Sequence, residues 1–275
     1  LKKKPMSSSR GIYLVANKRS EQFCENLIYT IRQFGCSLPI KVIHFGGEPV
    51  TSSYITAEAQ LVTAKDFSPE ANRFVEQVAE RISDCPRGFL YRFLAWFGER
   101  EEFIYSDNDI VALCDWTELF EHLQSNDLVH ADQEYITEGI YNFVQPKKAT
   151  EIFGTDALEQ AITAGHFAAR RSHKQVDDII KALDWFEQNP SIPKKHDQTL
   201  MHIAILLGEW KVLNICKPPH DWASSWAGDH PNSFEVIKLI QTGQVLDRTQ
   251  SIDHLMLASS TAEQRLKQIV TEGMS

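Results

Sequence analysis

The chain has 275 residues, of which 43% are hydrophobic, 10% aromatic and 24% charged, with 28 basic against 37 acidic side chains and a formal charge of −9. This is a globular composition, so a disordered or collagen-like chain is excluded. The acidic balance argues against a general nucleic-acid binder, which carries a basic field, but leaves room for a local basic groove that takes a diphosphate. Such a length buries about 70–75% of the surface of the unfolded chain, so no disulfide or metal staple is needed for folding. No stretch approaches the roughly 18 apolar residues of a spanning helix. The start is basic, with Lys2, Lys3 and Lys4, and lacks the apolar core of a secretory signal. The three lysines could touch anionic lipid. Leu1 rather than Met stands first, as expected of a piece of a longer protein. Cys24, Cys36, Cys85, Cys114 and Cys216 are scattered, odd in number and without C-x-x-C spacing. That pattern fits a reducing, cytoplasmic compartment.

Residues 11–16 form a short apolar run and predict a buried strand. Over residues 20–34, Phe23, Leu27, Ile28, Ile31 and Phe34 recur at helical spacing, and Gly35 is placed to end that helix. Residues 39–45 and 60–63 read as two more strands, and residues 70–82 as a helix. A further helix is expected over 86–97, with Phe89, Leu90, Phe93, Leu94 and Phe97 buried. Residues 102–113 read as a buried strand interrupted by an acidic turn, and 127–131 and 140–144 as strands. Beyond residue 151 helices are predicted over 176–188, 199–206, 234–242 and 262–271. Strand and helix in alternation predict a parallel sheet covered by helices on both faces.

The sharpest chemical signal is Asp107-Asn108-Asp109, which ends the apolar run Phe103-Ile104-Tyr105. In an extended strand, residues two apart point to the same side, and ligands of open α/β sheets sit beyond the carboxyl ends of strands. Two carboxylates there suit Mg²⁺ or Mn²⁺, whose other positions go to water and phosphate oxygens. A solvated acidic turn is the plain alternative. Paired acids at the end of a buried strand are costly unless something neutralises them, which favours the metal.

In these residues the chain resembles the GT-A glycosyltransferases, which use nucleotide-sugar donors. Tyr13-Leu14-Val15-Ala16-Asn17-Lys18-Arg19 looks like the strand that meets base and ribose, and Tyr91-Arg92-Phe93-Leu94 like the helix before the acidic strand. Phe103 to Asp109 looks like the D-x-D strand. Ile162-Thr163-Ala164-Gly165-His166-Phe167-Ala168-Ala169-Arg170 looks like the sugar-contacting segment that usually reads Asn-Ala-Gly or Asn-Ser-Gly, with Thr163 in place of the Asn. His196-Asp197-Gln198 looks like the Asp-Gln pair that opens a later helix. Order and spacing are most like the retaining, galactosyltransferase-like branch. The resemblance implies an α/β GT-A fold: a Rossmann-like mixed sheet with helices on both faces and a mostly helical C-terminal part. It implies a tail over 1–10 and one catalytic domain over 11–275, with 11–115 holding the nucleotide and 116–275 the acceptor.

The implied reaction moves a hexose from a nucleotide-diphosphate sugar, a UDP-sugar first among them, to a saccharide or glycolipid acceptor. Surface polysaccharide synthesis, in the cytoplasm or at the inner face of the membrane, would be its setting. Mn²⁺ or Mg²⁺ would be held by Asp107, Asp109 and His230, with His220 the other available histidine, because Ser225 occupies the place of the family's own. Asn17, Arg19, Arg92, Asp107, Thr163 and Gly165 would bind the nucleotide sugar. Asp197 and Gln198 would lie near the anomeric carbon, although Asp197 also suits a helix N-cap. Trp222 and Trp226 could stack on an acceptor sugar or serve the core. Two other readings remain open: a non-catalytic nucleotide- or carbohydrate-binding module, and a sugar nucleotidyltransferase, which would want a glycine-rich loop where Ala16-Asn17-Lys18-Arg19 stands. A Walker phosphate loop, a G-x-G-x-x-G turn, H-E-x-x-H and a G-x-S-x-G elbow are all missing from the sequence.

Overall fold

The structure is a computed structural model that describes residues 9–82, 85–110, 112, 114–137, 142–220, 222, 224 and 225. The chain runs through β1 (Arg10–Ala16), α1 (Glu21–Gln33), β2 (Ile40–His44), α2 (Ser53–Glu58), β3 (Ala59–Thr63), α3 (Pro69–Arg81), α4 (Arg87–Leu90), β4 (Glu102–Ser106), α5 (Leu119–His122), β5 (Leu128–His130), α6 (Pro146–Phe153), β6 (His166–Arg170), α7 (His173–Gln188), α8 (Asp197–Gly208) and β7 (Val212–Asn214). Among the described residues these strands form one sheet in the order β3-β2-β1-β4-β6-β5-β7.

The half around β1 is parallel, with β1 flanked by β2 and β4 and β2 by β3. Both faces of β1 are buried. Tyr13 and Val15 face the layer that holds α3, α7 and α8, whereas Ile12, Leu14 and Ala16 face α1 and the Trp116–Phe120 region. Burial on both sides is why these strands read as continuous apolar runs rather than alternating ones. Ser68 caps α3 through a bond from the Ala71 amide, and Pro69 supplies the preset φ of its first turn. Gly35 takes φ +84° directly after α1, the conformation a helix-ending glycine supplies.

The sheet is mixed, because β6 runs antiparallel to both β4 and β5. Residues 166–170 were expected only as part of a sugar-binding segment, and β7 was not expected at all. His-Phe-Ala-Ala-Arg carries little strand propensity of its own, and its place is fixed by pairing on both sides. The helix expected over 86–97 is a short α4 followed by a 3-10 helix over Tyr91–Phe97. Phe89, expected in the core, is 51% exposed. Of the strand expected over 140–144, Phe143 makes one isolated bridge to Pro193, Val144 is exposed, and 140 and 141 lie outside the described residues. The helices expected over 234–242 and 262–271, and Trp226 and His230, also lie outside them.

The chain moves outward from β1 to β2 and β3, then returns to lay β4 on the other side of β1. That reversal opens a crevice beyond the carboxyl ends of β1 and β4, the usual ligand position in such sheets. Among the described residues no helix is long and apolar enough to cross a membrane.

Candidate active site

Two segments enter the crevice directly, residues 17–19 after β1 and residues 107–109 after β4. Asn17 caps the 3-10 turn that follows β1: its Oδ1 accepts from the Arg19 amide at 3.0 Å, while Ser20 Oγ accepts from the Asn17 amide at 3.2 Å. Asn17 is thus a polar cap for the turn that carries Lys18 and Arg19. With Phe45, Gly46, Gly47 and Glu48 of the loop after β2, Asn17, Lys18 and Arg19 line an open cleft of about 560 Å³. Gly46 and Gly47 both take positive φ, which lets that loop fold tightly beside Asn17.

β4 ends at Ser106, so Asp107-Asn108-Asp109 sits in a turn beyond the strand and the two-residue alternation does not set its directions. Local bonds do. Asn108 Nδ2 donates to the Val15 carbonyl at 2.9 Å, tying the turn to β1. The Asp107 amide donates to the Gly165 carbonyl at 2.7 Å. Tyr105 Oη donates to Asp107 Oδ1 at 2.7 Å, and Arg92 Nη2 donates to the same oxygen at 3.3 Å. Tyr105 is itself braced by Phe167, 5.5 Å away between ring centroids. Asp107 Oδ2 faces Gly165, where an added Cβ would come within 3.0 Å of it.

Arg92 is the hub. Its side chain is only 3% exposed; its guanidinium donates to Phe89 O at 2.9 Å, to Ala164 O and to Asp107, and its Nε lies 3.0 Å from Asp197 Oδ2 in an ion pair. It also stacks over the Tyr105 ring at 5.0 Å. Asp107 and Asp197, 90 residues apart in the chain, thus share one buried cation. Burial works against the charge on Arg92, but Asp107 and Asp197 outweigh it and hold the guanidinium protonated. Desolvation pushes the Asp107 carboxyl up to about 6 against the pull of Arg92, with Asp109 raising it further. Asp109, exposed at the tip of the turn, is raised as well, by partial desolvation against the pull of Arg92.

Asp197 opens α8 but does not cap it. The preceding His196 does so, with its Nδ1 accepting from the Thr199 amide at 3.3 Å. The Asp197 carboxylate is thereby left for other partners. Cys85 Sγ donates to its Oδ1 at 3.3 Å, complementing Arg92 on Oδ2. Burial pushes the Cys85 thiol up to about 12, with Asp197 adding to it, so the thiol stays a neutral donor. Gln198 follows, half-buried. Thr163 turns its amide and hydroxyl to Asp132 Oδ2, at 3.0 and 3.2 Å. His220 lies edge-on to His122, 4.6 Å between centroids. The Ser225 amide donates to Ala131 O at 2.8 Å, and Trp222 packs on the edge of the core.

Among the described residues no three His, Cys, Asp or Glu converge as a metal-binding group. The donor chemistry at Asp107 and Asp109 still fits a hard divalent cation, which takes oxygen ligands and commonly completes its shell with water and phosphate. Oδ2 of Asp107, directed at the space kept by Gly165, is the oxygen so placed. The structure thus brings Arg92, Asp107, Gly165 and Asp197 together, with Asn17 and Arg19 at the neighbouring cleft. Sequence reasoning did not assign Tyr105, Cys85 or Asp132. Asp132 carries the same mark as Asp107, an acid just past a buried strand; Cys85 carries none, since only the fold brings it to Asp197.

A model of the family described as "Mannosyltransferase putative" matches residues 9–151, just over half of the chain. The chain belongs to that family. It is a glycosyltransferase, a reading the family favours over a nucleotidyltransferase. A search of curated protein sequences finds no match. Among solved structures, the WbbM bifunctional glycosyltransferase is 12% identical, with a TM-score of 0.53 over 80% of this chain and 40% of that one. Mouse xyloside xylosyltransferase 1 is 11% identical, with a TM-score of 0.50 over 84% of this chain and 93% of that one. The galactosyltransferase LgtC, with donor and acceptor sugar analogues, is 12% identical over 74% of this chain and 72% of that one, TM-score 0.44. The chain spans less than half the length of WbbM, and its fold is that of the GT-A glycosyltransferases.

Proposed function

We propose that this glycosyltransferase moves a hexose from a nucleoside-diphosphate sugar to a saccharide or glycolipid acceptor, with retention of configuration at the anomeric carbon. The Arg92 bridge between Asp107 and Asp197 carries the reading, because it joins the crevice beyond β4 to the start of α8. The nucleoside and its phosphates are assigned to the cleft of Asn17 and Arg19, and the sugar to the space between Asp107, Gly165 and Asp197. In this division residues 11–115 hold the nucleotide and the later half holds the acceptor. Mannose, named in the family description, leads as the transferred hexose, and both UDP and GDP are admissible carriers.

Asp107 and Asp109 would hold Mn²⁺ or Mg²⁺, which would supply positive charge beside the diphosphate leaving group. Asp197, with Arg92 on one oxygen and Cys85 on the other, is held too firmly to swing as a base. Its fixed negative charge suits an oxocarbenium-like centre, with Gln198 beside it as a polar contact for the sugar or acceptor. The cytoplasm, at the inner membrane face where glycolipid acceptors lie, is the proposed setting. The free state of all five cysteines supports it.

The test is incubation with MnCl₂ and a panel of UDP- and GDP-sugars, GDP-mannose included, scoring donor hydrolysis and transfer, with the anomeric product read by NMR. Activity with at least one donor is expected, and Asp109→Asn should abolish Mn²⁺-dependent nucleotide binding with an unchanged melting temperature. Full activity in Asp109→Asn would remove the site assignment, and an inverted product would remove retention.

A further inference from the structure

Asp132 has no part in the donor site as assigned, yet it is the most heavily bonded acid of the described sheet ends. It is fully buried, at 0% exposure. Its Oδ2 accepts from His130 Nδ1 at 2.7 Å, from the Thr163 amide at 3.0 Å and from Thr163 Oγ1 at 3.2 Å; its Oδ1 accepts from the Glu134 amide at 3.1 Å. Asn214 Nδ2 donates to its carbonyl at 2.8 Å, and the Ser225 amide to the carbonyl of Ala131, so its backbone is pinned as well. Four donors converging on one carboxylate require the ionised, acceptor-only form. These bonds, with His130 foremost, hold its carboxyl below the usual carboxylate range despite burial.

The segment it grips is strained. Ala164 takes φ +59°, a left-handed conformation that costs a non-glycine residue roughly 1–2 kcal/mol and persists only where the surroundings over-determine it. Three anchors do so. Asp132 holds Thr163, Arg92 donates to the Ala164 carbonyl, and the Asp107 amide donates to the Gly165 carbonyl. Two of these anchors belong to the donor site itself. The third reaches it from the far side, at the end of β5.

We propose that Asp132 is a positioning residue: through Thr163 it sets the 163–165 segment against Asp107, and recognition of the donor's sugar depends on that carboxylate. This rests on the reading of 163–165 as the sugar-facing wall. It also gives the threonine that stands in place of asparagine a different task, in which its hydroxyl is spent on Asp132 rather than on the sugar.

The experiment is titration calorimetry of the full chain in MnCl₂ with four probes, GDP, GDP-mannose, UDP and UDP-galactose, alongside steady-state hydrolysis of the donors. Asp132→Asn and Thr163→Val are compared with the native chain, and Thr163→Ser serves as the conservative rescue. Both variants should keep their affinity for the free nucleoside diphosphate within about twofold, and lose about tenfold for its sugar derivative, the effect of one misplaced hydrogen bond. Their kcat should fall, and Thr163→Ser should restore both. Equal loss for diphosphate and sugar derivative would make Asp132 merely structural and overturn the proposal, as would no loss at all. If Asp132→Asn melts below the assay temperature, Thr163→Val, which keeps the amide bond, decides alone. A native chain that binds none of the four probes would instead bring down the donor-site reading, and this inference with it.

Discussion

Arg92 shows how much one side chain can decide. A guanidinium presents its donors in a rigid planar fork, and here each arm is committed, to Phe89, Ala164, Asp107 and Asp197. Removing one member of a buried ionic set strands the others without compensation, typically for 3–5 kcal/mol. Arg92→Met is therefore expected to lose about 3 kcal/mol of unfolding free energy in urea, the lower end because Asp107 can take a proton. Arg92→Lys should recover less than half, since one ammonium cannot reach both carboxylates in that geometry. A loss below about 1 kcal/mol, the range of an exposed pair, would mean the hub is not held together as described. The sequence marked Arg92 as a diphosphate contact. Its chemistry was legible as basic and near the acids, but not its partners, because Ala164 and Asp197 follow it by more than 70 and 100 residues.

Among the elements, the 3-10 helix Tyr91–Phe97 is set by the strands it covers. Trp96 packs edge-on to Phe103 at 5.2 Å and lies 5.4 Å from Phe167, so β4 and β6 share one aromatic contact layer with it. It then ends at Gly98, pressed against Tyr13 of β1. A Cβ at Gly98 would overlap the Tyr13 hydroxyl and lie 2.5 Å from Cζ of that fully buried ring. Gly98→Ala is expected to destabilise by about 2–3 kcal/mol, in the range of overpacked cores. The double variant Tyr13→Phe/Gly98→Ala should regain part of that, as measured by paired urea titrations; strict additivity of the two changes would refute the contact. The apolar spacing of residues 86–97 predicted helix correctly, but its tighter winding was not legible. Over residues 91–97 five of the seven side chains are buried and the other two half-buried, so the pattern there carries no face from which a period could be read.

For the molecule as a whole, two histidines lock its stability to pH. His202 is buried, with Nε2 donating to Ala157 O at 2.8 Å and Nδ1 accepting from Asn142 Nδ2 at 3.1 Å, the pattern of a neutral ring. His166 is buried against Trp116, and its Nδ1 has no hydrogen-bond partner among the described residues. Burial drives both imidazoles down to about 4. Unfolded histidine titrates near about 6.5, so between those values the unfolded chain binds more protons and stability rises with pH. The contribution is complete above about pH 6.5 and is lost as the pH falls toward 4. Asp107, raised to about 6, acts in the opposite sense, its contribution being lost as pH rises, but one carboxyl does not offset two imidazoles. Unfolding free energy should therefore drop by about 3 kcal/mol between pH 7 and 4.5, at about 1.4 kcal/mol per pH unit of displacement. Each imidazole supplies about 2.4 kcal/mol and Asp107 gives back about 1.9, so His166→Phe should remove about four-fifths of that net drop; an unchanged slope would show that His166 is not held neutral.

The amino-acid sequence by itself determined the strands of the parallel half, the helices α1, α3, α7 and α8, and the acids that mark the carboxyl end of β4. These follow from local chemistry: apolar runs buried on two faces, 3.6-residue spacing, caps and a helix-ending glycine. The tertiary structure decided which way β6 runs, that His196 rather than Asp197 caps α8, and that Asp107, Asp197, Cys85 and Arg92 form one buried cluster. The antiparallel pairing joins residues 60 to 68 apart, and the cluster joins Asp197 to Arg92 and Cys85 across more than 100 residues, drawing its carboxylate away from the helix end; nearest-neighbour patterns carry no record of such meetings.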